Sequence, residues 1–299
     1  MTRKILFFSI LIFSSVIAKA QDDLLSMLDA DTKPEVERIT NAFKSTRVIM
    51  SQSLEHVGGG VLDFRIMHRF GMFSDGRSEA WGFDKASMRI GLDYGITNRL
   101  MVGIGRSTYK KEADAFLKYR LLWQTKGMKR MPVTVEYIAG MSVVGNKWAY
   151  PDRVNYFTSR IGYYHQLIIG RKFSERFSFQ TGPIVIHQNM IDSSNYKNDL
   201  LAVEVGGRIK LTKRMAINAD YFYFMNGDQN PTATRPLSIG FDIETGGHVF
   251  QLHFTNTSGM TERSIVTETT GEWIKGNIEF GFNLSRVFTL DSKIKRSNP

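Results

Sequence analysis

No cysteine occurs in the 299 residues. Disulfides, thiolate metal sites, cysteine nucleophiles and lipid attachment through cysteine are excluded together. Proline is scarce, 7 residues against 26 glycines, which argues for ordered, strand-rich structure and against a low-complexity chain. Past Ala20 no stretch approaches the roughly 18 uncharged apolar residues that a membrane-crossing helix needs, so any passage through a bilayer must be made by strands. Apolar and aromatic residues make up 42% and 12% of the chain, enough to exclude a disordered tail or a small stapled scaffold.

The chain starts with Arg3 and Lys4, an apolar run over residues 5–17, and Ala18-Lys19-Ala20 before Gln21. A charged start, a short apolar core and small residues three and one before a cut are the pattern of a secretory signal, and the core is short for a span. Residues 1–20 are therefore expected to be removed, with a retained N-terminal anchor as the alternative. Loss of Arg3, Lys4 and Lys19 lowers the formal charge from +10 to about +7. Nucleic acid is not an expected partner of an exported chain, whatever its basicity.

Residues 21–57 read as an N-terminal segment on the periplasmic side, outside the barrel wall or folded under it. Within it residues 22–43 read as helical: Leu24, Leu25 and Leu28 share a face, and Pro34 suits a first turn after Thr32. From Gly58-Gly59-Gly60 to residue 290 the dominant period is two, and residues 291–299 form a polar tail. Leu62, Phe64 and Ile66 alternate with Asp63, Arg65 and Met67, and Ile90, Leu92 and Tyr94 with Arg89, Gly91 and Asp93. The same alternation recurs around Leu117, Val203, Ile239 and Phe280, with weaker segments at residues 100–109, 133–143, 154–169, 177–188, 217–225 and 249–255. The sum is about twelve strands of the length that tilted membrane strands require, an all-β, closed antiparallel transmembrane barrel.

Alternation leaves open which face points outward. Strands well beyond the usual 5–6 residues, a barrel too wide to fill with aliphatic side chains alone, and an opposite face rich in glycine and in charges of both signs argue for apolar-out. Long and short connections also alternate, except that one expected long connection, at residues 110–113, is short. Three of the short ones, Ile96-Thr97-Asn98-Arg99, Phe173-Ser174-Glu175-Arg176 and Leu211-Thr212-Lys213-Arg214, repeat one pattern and mark one periplasmic rim, with Arg99, Arg176 and Arg214 in reach of lipid headgroups. Phe73, Trp81, Phe83, Trp148, Tyr150 and Trp273 lie near the long-connection ends, as an interfacial belt or as loop packing.

With the apolar face outward, the lumen carries Arg65, Arg69, Arg89, Lys118, Arg120, Arg160, Arg208, Lys210 and Lys275 against Asp63, Asp93, Glu136, Glu204, Asp220, Asp242, Glu244 and Glu279. The signs nearly balance. Charges in a narrow tube persist only when paired or wetted, so they form either an interlocked ladder that fills the lumen or a basic track for anions.

Residues 43–64, with Phe43-Lys44-Ser45-Thr46-Arg47-Val48-Ile49, Ser53-Leu54-Glu55-His56 and Gly60-Val61-Leu62-Asp63-Phe64, resemble the start of an outer-membrane β-barrel family of Bacteroidota, a domain of unknown function. Arg65 to Gly71, Met88 to Gly95, Lys118 to Gln124 and Gly240 to His248 extend the resemblance over nearly all of the chain past the signal. It implies an outer-membrane barrel and brings no catalytic residues with it.

Chemical motifs are otherwise missing. There is no Gly-x-Ser-x-Gly elbow and no His-Glu-x-x-His pair, and the loop-like Gly140 to Lys147 has Asn146 where a phosphate loop needs lysine. No catalytic residue, metal site or cofactor is expected; the partners expected are outer-membrane lipid and a periplasmic or surface protein. Three functions remain in order: a structural or partner-docking barrel with a charge-filled lumen, a narrow pore for small anionic or polar solutes, and an outer-membrane enzyme.

Overall fold

The computed structural model describes residues 36–191, 196–226 and 233–290. The expected signal, most of the expected helix over residues 22–43 and the polar tail lie outside the described residues. Two compact units are distinguished. In the smaller, Glu37–Arg38 pairs antiparallel with Thr125–Lys126, and the Thr125 hydroxyl donates to the Lys129 carbonyl. The larger holds everything that follows.

Twelve strands close into an antiparallel barrel: β1 (Val61–Met72), β2 (Ala86–Gly95), β3 (Leu100–Ser107), β4 (Ala113–Leu122), β5 (Thr134–Val143), β6 (Ile161–Lys172), β7 (Phe177–Gln188), β8 (Asp199–Lys210), β9 (Met215–Phe224), β10 (Leu237–Thr245), β11 (His248–Thr255) and β12 (Glu279–Thr289). Each strand pairs with the next in sequence, and β12 returns to β1 with Leu284 opposite Ile66. Closure satisfies every edge, the condition for strands to lie in hydrocarbon. The apolar residues of the alternation face outward: Ile90, Leu92, Ile104, Leu117, Ile209, Ile239 and Phe241 are exposed while Arg89, Asp93, Lys118, Arg208 and Asp242 are buried.

One strand is shorter than the sequence suggests. Residues 154–160 are not strand, because Asn155 turns its amide onto the Tyr150 and Arg153 carbonyls and a single tight turn, Phe157–Arg160, precedes β6. Residues 39–43, in the described part of the expected helix, are not helical. The Ile39 N–H donates to the Gln124 carbonyl, and the Ile39 carbonyl accepts from the Trp123 indole, so its backbone is committed elsewhere.

Short connections gather at one rim. In three of them the hydroxyls of Thr97, Ser174 and Thr212 accept from the N–H groups two and three residues on, and the carbonyls of Arg99, Arg176 and Arg214 each accept an adjacent-strand N–H at 2.8 Å. Gly246 and Gly247, both at positive φ, make the tight β10–β11 hairpin. Long connections, including residues 73–85, 144–160 and 256–278, leave from the opposite rim.

Inside the wall lies a second core. Met101, Ile138, Tyr164, Ile168, Ile184, Ile186, Leu200 and Phe222 point inward and form one cluster with Phe43, Val48, Ile49, Met50 and Leu54 and with Ile265 and Val266. Chain segments thus occupy the space that wall side chains alone cannot fill.

Candidate functional site

The segment over residues 39–57 runs inside the barrel, not outside the wall or beneath it. It enters at the short-connection rim through Gly58-Gly59-Gly60. There a Cβ on Gly95 would lie 2.1 Å from the Gly58 carbonyl oxygen, so only glycine lets the chain pass over β2. Farther in, a Cβ on Gly170 would lie 2.5 Å from Leu54 Cδ1, which gives that side chain its seat.

A chain in a lumen must find partners for its own N–H and C=O groups. The wall supplies them. Asp220 Oδ2 accepts from the N–H groups of Ile49, Met50 and Ser51 at 3.2, 2.8 and 2.9 Å and from the Ser51 hydroxyl at 3.1 Å. That hydroxyl also lies 3.0 Å from Glu204 Oε1. Gln180 takes the Leu54 N–H on its oxygen and donates its amide to the Gln52 carbonyl. Asn283 and Gln251 donate to the Ile49 and Val48 carbonyls at 2.9 and 2.7 Å. Lys118 donates to the Ser53 and Glu55 carbonyls, and Arg120 to that of Leu54. These groups come from strands all around the barrel, so the segment is gripped from every side.

Residues of the long connections pack inside at the other end. Within residues 256–278, Thr261 and Ser264 form a reciprocal capping box that starts the one-and-a-half-turn helix α1 (Glu262–Thr267), all of it buried. Arg263 makes two bonds to Glu112 at 2.8 and 3.0 Å and one to Glu268 at 2.5 Å. Glu262 accepts from Arg47 at 2.8 Å and from Gln52 at 3.0 Å. The N-terminal plug and the long-connection helix thus meet through a buried ion pair, each side chain 1% exposed.

Of the expected lumen charges, Asp63, Arg65, Arg69, Arg89, Asp93, Lys118, Arg120, Glu136, Glu204, Arg208, Asp220, Asp242 and Glu279 are buried inside. They do not form a simple ladder across the wall. Arg65 binds Asp63 at 2.6 Å and Arg120 binds Glu136 at 2.6 Å, but Arg89 is held by Asp114, two strands away. Asp93, opposite Asp63 in the register, accepts from Thr46 of the plug. Arg208 reaches the Ala42 carbonyl, Asp242 accepts from Gln251, and Glu279 accepts from Ser258. Glu136 also holds His56 at 2.5 Å.

Four expected members fall outside this network. Arg160 belongs to the turn before β6 and stacks on Trp148, 3.9 Å from the ring centroid, because the strand starts one residue later. Lys275 is exposed in a loop turn beside Glu272, since β12 begins only at Glu279. Glu244 sits near the rim and pairs with Lys44 at 2.8 Å, and Lys210 ends β8 half-buried. Arg99, Arg176 and Arg214 are exposed on the short-connection rim. Sequence reasoning missed Asp114, Gln180, Gln251, Asn283, Glu112, Glu262 and Arg263. Inward amides at Gln180, Gln251 and Asn283 were the available signal, since an amide both donates and accepts and suits a backbone.

A cavity of about 340 Å³ remains at the short-connection end beside Phe43, His56 and Glu244, and one of about 410 Å³ among the long connections beside Trp148, Arg160 and Arg263. Among the described residues no group of His, Cys, Asp or Glu is placed to hold a metal ion.

Residues 43–288 match the family model described as membrane bound beta barrel domain (DUF5777). Solved structures with a similar fold include the NanC porin, 8% identical over 76% of this chain and 98% of that one, TM-score 0.46. An outer membrane channel from Pseudomonas putida F1 is 13% identical over 78% of this chain and 97% of that one, TM-score 0.47. Omp33 of Acinetobacter baumannii is 8% identical over 76% and 97%, TM-score 0.40. At such identities and scores no residue role or activity carries over. No curated protein matches the chain. A membrane-bound barrel of twelve antiparallel strands, apolar outward, has its place in the Gram-negative outer membrane.

Proposed function

The chain belongs to the membrane bound beta barrel family, and on that premise we propose that it is a closed barrel, sealed by its own N-terminal segment, that presents surfaces to partners on the two sides of the membrane. The observation that carries this reading is the grip on residues 46–54: carbonyls and N–H groups of a plug are matched, one by one, by wall side chains from β4, β7, β9, β11 and β12. A pore lined for passage has no use for Asp220 aimed at three main-chain N–H groups. A structural or docking role accounts for it, because a filled lumen rigidifies the barrel and fixes the loops it carries. The secretory signal and the Bacteroidota kinship implied by the sequence resemblance belong to the same reading. No enzymatic step enters it.

Planar-bilayer recording of the purified full chain is the test. The plugged barrel should insert without conductance steps. A stable, ion-selective channel in the unmodified protein would overturn the reading in favour of a narrow pore for small anionic or polar solutes.

A further inference from the structure

The geometry points to a binding site for a small hydroxylated carboxylate, a sugar acid in size and chemistry, in the cavity of about 410 Å³ among the long connections. That volume lies in the range of small-molecule sites.

The charges of its wall do not cancel. Arg263 and Lys110 are spent on Glu112 and Glu268, with Lys110 Nζ 2.9 Å from Glu268 Oε1 and Arg263 bonded to both acids. Two cations remain. Arg160 sits over Trp148, its guanidinium carbon 3.9 Å from the ring centroid, and among the described residues gives one hydrogen bond, to the Val144 carbonyl at 3.1 Å. The ring contact holds the guanidinium in place while its other N–H donors have no partner among the described residues, which leaves them for the two parallel bonds that recognise a carboxylate. Lys147, exposed on the same wall, makes no ion pair or hydrogen bond among the described residues.

The neutral part of the lining decides what kind of anion. Asn146, Ser159 and Thr270 line the cavity with side chains that make no hydrogen bond among the described residues. They offer donors and acceptors of the kind that match hydroxyl groups, while Trp148 adds an aromatic flank. A bare inorganic anion makes no use of the aromatic flank, and a neutral sugar brings no charge to the two cations. A sugar acid uses both.

Arg263, in the cavity lining, is buried and held by Glu112 and Glu268. The proposal holds whether or not the lumen conducts, so its failure and that of the closed-barrel reading appear in separate measurements.

The test is isothermal titration of the purified full-length barrel with sodium glucuronate, glucose and inorganic phosphate in turn, backed by tryptophan fluorescence. Glucuronate should bind saturably and at least about tenfold more tightly than either glucose or phosphate. Arg160→Gln and Lys147→Gln should each weaken it about tenfold, the loss of one charge-assisted contact. Lys147 is exposed and makes no ion pair or hydrogen bond among the described residues, so its variant keeps the test valid if Arg160→Gln fails to fold. No saturable glucuronate binding, glucose bound as tightly, phosphate bound as tightly, or full affinity in Lys147→Gln would each overturn the proposal.

Discussion

Replacing Asp220 by alanine should loosen the plug more than any other single change in the wall. Its Oδ2 atom takes three main-chain N–H groups and one hydroxyl of residues 49–51, at 2.8 to 3.2 Å. Hydrogen bonds to a charged group contribute roughly 1.5–3 kcal/mol each, but they share one acceptor, and alanine also removes a buried carboxylate with no cation bonded to it among the described residues. A net cost of about 3 kcal/mol for the inserted state is a conservative figure, which raises the displaced population roughly a hundredfold or more. Asp220→Asn keeps a neutral acceptor and should cost about 1–2 kcal/mol. The absence of cysteine makes the assay clean. Val48 is fully buried in the plug, so Val48→Cys is a single reporter whose maleimide labelling rate measures exposure. In the intact barrel, Asp220→Ala should label roughly a hundred times faster than the parent reporter. Equal rates, with heat-modifiable gel migration retained, would refute the claim that Asp220 holds the segment.

Three further outcomes are expected. Burial, with Lys118 and Arg120 reinforcing it and Glu136 opposing, lowers His56 to about 4 from 6.5. The neutral ring therefore contributes stability that is present above about pH 6.5 and lost as pH falls toward 4, up to about 3 kcal/mol; urea titrations of His56→Gln should show a flatter pH dependence over that window. Arg47→Met strands the buried Glu262 and should cost about 3–5 kcal/mol in the same titrations, with part recovered in the Arg47→Met, Glu262→Gln double variant. On the lipid face, Leu92→Arg should cost about 2–4 kcal/mol in refolding into vesicles and Leu92→Met almost nothing, and the reverse order would mean that the barrel is inside out.

The barrel was legible in the sequence because each strand has one face on lipid and one on the lumen, which writes a period of two. The turns were legible for a similar reason: Thr97, Ser174 and Thr212 do the same local work three times over. Residues 44–57 carry no period of either kind. A segment enclosed on all sides has no solvent face to alternate with, so Val48, Ser51 and Leu54 are equally buried and its pattern resembles a loop. The near balance of inward charges pointed to pairing between wall residues, but counting cannot show that Asp220 and Glu204 serve a backbone and a hydroxyl. The link from Arg89 to Asp114 was hidden as well. It crosses β3 at Gly105, where a Cβ would lie 2.2 Å from the guanidinium, so that glycine in mid-strand clears the way for the pair.

Amide hydrogen exchange of the unmodified protein in detergent, read residue by residue over the N-terminal segment, tests the plugged lumen most directly. Ile49, Met50 and Ser51, bonded to Asp220, and Leu54, bonded to Gln180, should exchange as slowly as the amides of the barrel strands and be released only when the barrel itself unfolds. Exchange of these four amides within seconds, while the strands stay protected, would show that the lumen is not held shut by this segment.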